Sequence, residues 1–172
     1  MMLSEKLYPQ RVFYYFEQIA AIPHGSRNTK AISDFLVNFA KEHNLVWYQD
    51  ENNNVVIVKE ASAGYEAAEP IIIQGHMDMV CEKEKGVDID FEKDGLKLYI
   101  DGDFLKAEGT TLGGDDGIAV AYALALLDSQ EIAHPKLEVV ITVDEEIGML
   151  GADAIDLSML TGHTMLNIDS DV

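Results

Sequence analysis

The sequence predicts an α/β domain with a mixed, mostly parallel sheet and helices on both faces. Two observations carry this prediction: short apolar runs of strand length, and longer segments between them with apolar residues at helical spacing. The run Ile71-Ile72-Ile73 is typical of a strand that is buried on both faces. With 172 residues, of which 48% are hydrophobic, the chain is long enough to bury a core.

The predicted elements follow one another with short connections. Residues 7–22 have apolar side chains at helical spacing, and Pro23 ends this first helix. A second helix follows Asn28 or Thr29, both of which suit an N-cap position. The remaining predicted elements are strands at 45–48, 54–58, 70–74, 137–143 and 164–168, a hairpin from 96–100 and 104–107, and helices at 117–127 and 151–157. The hairpin indicates that the sheet is mixed.

The charge and composition exclude several classes of protein. With 31 acidic and 12 basic side chains, the formal net charge of -19 repels phosphate backbones, so we expect no nucleic-acid partner. No run of 18 apolar residues is present, so we expect no membrane partner. A single cysteine, Cys81, rules out an internal disulfide, and the first residues do not resemble a signal peptide. The expected location is therefore the cytoplasm.

Residues of the types that commonly bind metal ions follow three of the four most apolar predicted strands. In chain order they are His76 and Asp78, then Glu145 and Glu146, then Asp169. A further acidic pair, Asp115-Asp116, stands at the start of the Ala-rich helix, where the helix dipole favours negative charge. Open α/β sheets bind ligands beyond the carboxyl ends of their strands, so we expect these groups to lie close together. One imidazole with several carboxylates suits Zn²⁺ and, less specifically, Mn²⁺ or Co²⁺.

Each of these residues also has an ordinary structural explanation. His76 fits a hydrogen bond to a backbone carbonyl, Asp115 fits a helix cap, and Glu145-Glu146 fits a solvated turn. Their shared position at one edge of the sheet favours a metal site over several separate coincidences. The sequence contains no nucleophile elbow, dinucleotide-binding fingerprint or Walker motif.

Four motifs, in this order along the chain, resemble those of the aminoacyl-histidine (Xaa-His) dipeptidases: GHMDMV at 75–80, LGGDDGI at 112–118, TVDEEIGM at 142–149 and NIDS at 167–170. These enzymes belong to a wider family of two-zinc peptidases and deacylases that includes carnosinases and acetylornithine deacetylases. The resemblance implies a metallopeptidase, a hydrolase that cleaves small peptides, with Xaa-His dipeptides as the leading substrates. The alternatives are a tripeptidase or N-acyl amino-acid deacylase of the same superfamily, and a non-catalytic metal-binding domain.

The resemblance also implies a role for each matching residue. The metal ligands would be His76, Asp115, Glu146 and Asp169, with Asp115 bridging two zinc ions. The bond after Asp115 would be a cis peptide. Asp78 would hydrogen-bond the imidazole of His76, and Glu145 would be the general base.

The same resemblance predicts how the chain relates to a longer enzyme. Residues 1–172 correspond to the N-terminal part of the family's catalytic domain. In the family, a lid or dimerisation domain and a C-terminal catalytic segment follow, and the latter supplies a histidine as a fifth metal ligand. We therefore expect the 172-residue chain alone to be inactive or poorly active, and the full-length protein to form a homodimer.

Overall fold

The structure, a computed structural model, describes residues 2–169. Helices α1 to α4 cover Gln10–Ala20, Lys30–Glu42, Gly114–Asp128 and Leu150–Ala154, and a 3-10 turn covers Leu3–Lys6. Strands β1 to β7 cover Val46–Gln49, Val55–Lys59, Ile71–His76, Leu98–Asp101, Phe104–Ala107, Leu137–Thr142 and Thr164–Asn167. The elements agree in kind and order with those predicted, and differ at their ends by a few residues.

The central sheet has five strands in the order β1-β2-β6-β3-β7. Strand β3 pairs in parallel with both β6 and β7, whereas β2 is antiparallel to both of its neighbours. Four of the five strands therefore point the same way, which confirms the predicted mixed, mostly parallel sheet. The source of the mixed character differs from the prediction, because the β4–β5 hairpin forms a separate two-stranded sheet and β2 is the reversed strand.

The three long helices pack on one face of the sheet. Helix α3 packs against α1 as well as β3 and β6, and α2 packs against β1 and β2. Inward side chains such as Ile57 and Ile141 join this main core. On the opposite face, Val56 and Val140 belong to a smaller cluster that Ile155, at the end of α4, covers. Both faces carry helices, but α4 is short and leaves its face less covered.

Parallel pairing brings the carboxyl ends of β6, β3 and β7 together. His76 lies opposite Thr142 in the β3–β6 register, and Gln74 lies opposite Asn167 in the β3–β7 register. The loops that follow these strands therefore begin at one edge of the sheet. Across residues 2–169, we find no helix with the length and apolar character needed to cross a membrane.

Candidate metal centre

The four predicted metal ligands, together with Glu145, the predicted general base, meet at this edge of the sheet in two groups. One group consists of His76, Asp115 and Asp169, and the other consists of His76, Glu145 and Glu146. Within each group, the candidate ligand atoms all lie within 4.8 Å of one another. An imidazole with carboxylates at such separations is a donor set that fits Zn²⁺ or a similar divalent ion.

His76 lies at the centre of both groups, at the end of β3, and is 1% exposed. Its Nδ1 lies 3.0 Å from the backbone oxygen of Asp78 and 3.4 Å from the Oδ1 of the same residue. Its Nε2 points the other way, 3.2 Å from the Oδ1 of Asp115 and 3.8 Å from the Oε2 of Glu145. With Nδ1 donating to Asp78, the neutral ring presents the Nε2 lone pair to a metal ion.

The electrostatic environment of His76 is strongly negative. Burial, the largest single effect, lowers the pKa of His76, but the hydrogen bond to Asp78 and the neighbouring negative charges together outweigh it. These charges include those of Asp116 and Glu145, and the pKa rises to about 9. Burial and neighbouring carboxylates raise the pKa of Glu145 and of Glu146, against the opposing charge of His76. A bound cation would relieve this repulsion between carboxylates.

Asp78 is a buried carboxylate that connects two parts of the site. Its Oδ1 accepts the backbone N–H of Glu145 at 3.0 Å. Its Oδ2 accepts the hydroxyl of Ser26 at 2.8 Å and the backbone N–H of Glu146 at 3.4 Å. Burial, the largest single effect, raises the pKa of Asp78, but the hydrogen bonds from His76, Ser26 and the backbone of Glu145, with the charge of His76, together lower it. Asp78 therefore lies beside the imidazole, as the resemblance implies, and also holds the Glu145–Glu146 backbone.

Asp115 and Asp116 lie at the start of α3, where both have non-helical backbone angles. The peptide bond between them is cis, which confirms the prediction. The Asp115 side chain is 56% exposed beside His76, whereas Asp116 is buried and its Oδ2 accepts the backbone N–H of His76 at 3.1 Å. Burial raises the pKa of Asp116 to about 7, against the lowering effect of that hydrogen bond. Asp115 belongs to one ligand group, so its bridging role stays a prediction.

Residues 72–169 match the sequence model of Peptidase family M20/M25/M40, which is more than half of the chain. The chain belongs to this peptidase family. Peptidases of the family depend on metal ions, in agreement with the two ligand groups.

This chain resembles two dipeptidases, and both matches cover nearly all of this chain. It is 40% identical over 166 residues to the cytosol non-specific dipeptidase of Escherichia coli, a match that covers 96% of this chain and 34% of the relative. Its structure is similar to that of the aminoacylhistidine dipeptidase from Vibrio alginolyticus, with a TM-score of 0.94 and 40% identity over 98% of this chain and 34% of the other. This chain thus spans about a third of the length of these relatives.

A more distant structure shows the same fold. A tripeptidase from Staphylococcus aureus has a TM-score of 0.78 and 24% identity over 95% of this chain and 44% of the other. At this identity, the likeness establishes the architecture of the sheet and helices and carries no argument about substrate.

Sequence reasoning missed three residues that shape the site in this family member. Ser26 donates to Asp78, and the backbone N–H of Arg27 donates to the Oδ1 of Asp144 at 2.6 Å. Asp144 has a φ of 55°, in the left-handed region, and turns the chain just before Glu145. The sequence around Ser26 predicts only a loop, because contacts to partners so distant in the chain leave no trace in local periodicity.

Proposed function

We propose that this chain carries catalytic residues of a zinc-dependent dipeptidase, with dipeptides that end in histidine as the leading substrates. The observation that carries the proposal is the convergence of two ligand groups on His76, with Glu145 beside them. The names of two relatives, a non-specific dipeptidase and an aminoacylhistidine dipeptidase, support a dipeptide as the substrate class.

The two ligand groups support the proposed assignment of the metal ligands. His76, Asp115 and Asp169, which form one of these groups, would hold one ion. The resemblance assigns Glu146 to a second ion, with Asp115 as the bridging carboxylate, and in the structure Glu146 lies in the other group with His76 and Glu145. Bound ions of this kind lower the pKa of water and polarise a peptide carbonyl. The mixture of imidazole and carboxylates favours Zn²⁺, for which Mn²⁺ and Co²⁺ are plausible substitutes.

Glu145 is the general base of the proposed reaction. Its neighbour Glu146 points to the same ligand group, so one carboxylate can hold an ion while the other reaches an adjacent water. The carboxylate of Glu145 takes a proton from that water, whose oxygen adds to the peptide carbonyl carbon. The same carboxylate then gives the proton to the leaving amine as the C–N bond breaks. The raised pKa of Glu145, caused first by burial, suits a group that must both accept and return a proton.

The variant Glu145→Gln tests this assignment in the zinc-loaded full-length protein. It removes the base while keeping the size of the side chain, so we expect kcat to fall by about 10²–10⁴-fold and the zinc affinity to stay within a few-fold. Glu60→Gln is the matched control, because Glu60 is exposed and lies away from the carboxyl edge of the sheet. Full activity in Glu145→Gln would contradict the role of base, and complete loss of zinc would identify Glu145 as a ligand instead.

A substrate panel separates the proposed function from its alternatives. The panel consists of Xaa-His dipeptides, other dipeptides, tripeptides and N-acyl amino acids, each assayed with the full-length protein, with and without added Zn²⁺. We expect the highest kcat/KM with Xaa-His dipeptides. A preference for tripeptides or N-acyl amino acids would replace this substrate class, and zinc binding without hydrolysis of any compound would favour a non-catalytic metal-binding domain.

We further propose that the protein acts in the cytoplasm. One relative is named as a cytosolic enzyme, and Cys81 is a free thiol. Three earlier expectations stay predictions: homodimer formation by the full-length protein, the absence of a nucleic-acid partner, and the correspondence of residues 1–172 to the N-terminal part of the catalytic domain.

A further inference from the structure

The turn from His24 to Arg27 contacts both segments that surround the candidate site. We propose that Ser26 is a positioning residue, whose hydroxyl fixes the carboxylate of Asp78 and, through it, the backbone of Glu145 and Glu146. The inference rests on the proposed function only where it gives Glu145 and Glu146 a catalytic role. The claim that Ser26 fixes Asp78 and the two backbone amides concerns the metal-free protein and requires no substrate.

The hydrogen bonds at Asp78 show why one hydroxyl matters. Oδ2 of Asp78 has two donors, Ser26 Oγ at 2.8 Å and the backbone N–H of Glu146 at 3.4 Å. Ser26 therefore supplies the shorter of the two. The Asp78 side chain is 0% exposed, so bulk water does not replace a lost donor. Without the hydroxyl, Oδ2 retains only the long contact, and the carboxylate loses the restraint that aims it at Glu145 and Glu146.

The turn itself is held on both sides of Ser26. Gly25 pairs with Met79 in a parallel bridge, and the backbone N–H of Met79 donates to the oxygen of His24 at 3.2 Å. On the other side, the backbone N–H of Arg27 donates to Asp144 at 2.6 Å. A Cβ added at Gly25 would lie 2.6 Å from the Sγ of Cys81, so the turn lies directly on the segment that follows β3. These contacts fix Ser26 between the loop after β3 and the loop after β6.

Amide hydrogen exchange in the zinc-free protein tests the positioning role directly. In Ser26→Ala, the backbone amides of Glu145 and Glu146 should exchange about tenfold faster, because their acceptor is no longer fixed. Ser26→Thr keeps the hydroxyl and should restore slow exchange. Ser33→Ala is the matched control: it also removes a serine hydroxyl that donates a hydrogen bond, to the oxygen of Asn53 at 2.7 Å, whereas the hydrogen bonds to the Asp78 carboxylate come from other residues.

Zinc binding and kinetics provide the functional readouts. We expect Ser26→Ala to bind zinc about tenfold more weakly and, in the active protein, to show a kcat about tenfold lower with an unchanged KM. If Ser26 acts through Asp78, its substitution should have a smaller effect in an Asp78→Asn background than in the wild type.

Two results would overturn the inference: unchanged exchange at Glu145 and Glu146 in Ser26→Ala, or a uniform increase over the whole chain, which indicates general destabilisation. The outcome is separate from that of the proposed function, because hydrogen exchange needs neither zinc nor substrate. A full-length wild-type protein that hydrolyses no peptide, together with a local effect of Ser26→Ala at these two amides, would remove the proposed function and support the positioning role.

Discussion

Zinc binding should release a proton from His76, and the amount can be worked out from the site. The pKa of His76 in the metal-free protein is about 9, because the hydrogen bond to Asp78 and the surrounding carboxylates outweigh burial. A zinc ion binds only the neutral imidazole. At pH 7 the ring is about 99% protonated, so nearly every binding event must displace a proton.

This competition sets the dependence of affinity on pH. Between pH 6 and 8, which lie below the pKa of His76, the apparent zinc affinity should rise about tenfold for each pH unit from this proton alone. Asp116, with a pKa of about 7, adds to the release if its proton also leaves. Isothermal calorimetry at a single pH, in two buffers with different ionisation enthalpies, counts the protons directly. We expect about one proton or more per zinc.

Two variants show whether His76 is the source. Asp78→Asn removes the principal partner that raises the pKa of His76, so the affinity should depend less steeply on pH near pH 8. His163→Gln removes an exposed histidine and should leave the proton count unchanged. A zinc affinity that is constant from pH 6 to 8, with no proton released, would refute the combination of this pKa with the role of His76 as a ligand.

Three further predictions concern stoichiometry, acid stability and packing. Nε2 of His76 faces both ligand groups but can bind only one ion. Calorimetry should therefore show one tight zinc site and a second site that binds at least about tenfold more weakly, and two equally tight sites would contradict this prediction. Burial raises the pKa of Glu138, but its hydrogen bonds, first among them the one from Lys136, together lower it from 4.5 to about 2. At 1.36 kcal/mol per pKa unit, this shift stabilises the folded protein by about 3 kcal/mol at neutral pH. This stabilisation is present above pH 4.5 and is lost as the pH falls toward 2. In urea unfolding, Glu138→Gln should therefore lower the free energy of unfolding by up to about 3 kcal/mol at pH 7, and by less as the pH falls from 4.5 toward 2. A loss of stability that does not depend on pH would contradict this prediction. A Cβ at Gly75 would lie 2.6 Å from the Oδ2 of Asp116. Gly75→Ala should therefore lower the free energy of unfolding by about 1–3 kcal/mol in thermal unfolding and weaken zinc binding. If stability and zinc affinity were both unchanged, Asp116 would be free to move away from the added methyl group.

Local sequence patterns were sufficient to predict the edge at which the site lies. The runs that became β3, β6 and β7 are short and apolar, and each is followed by a metal-binding side chain. Parallel strands present their carboxyl ends at the same edge, so the residues that follow these strands were expected along one edge of the sheet. The close approach of His76 to Glu146 and to Asp169 depends in addition on β3 lying between β6 and β7, which the local patterns did not predict.

The strand order and the hydrogen bonds behind the site were beyond the reach of local patterns. Strand β2 pairs with β6, far away in sequence, and its apolar run carries no sign of its reversed direction. Ser26 and Asp144 are ordinary loop residues in the sequence, and their roles come from partners that the folded chain brings to them. Periodicity reports which face of an element is buried, but it does not report the partner of a single hydroxyl or backbone N–H.

The two ligand groups differ in how firmly the fold holds them. His76 lies on the inner strand β3, and the backbone of Glu145 and Glu146 is tied to the buried carboxylate of Asp78. Asp169 instead follows β7, an edge strand whose four residues are all exposed and which, in the part of the chain that the structure describes, pairs only with β3. Asp169 lies close to His76 only when β7 is paired with β3. A metal ion that binds both residues therefore binds the paired form more tightly, and this difference in binding free energy stabilises the pairing. Metal binding and the integrity of this sheet edge are therefore coupled, and zinc should slow amide exchange in β7 more than in β2, which lies inside the sheet without any ligand.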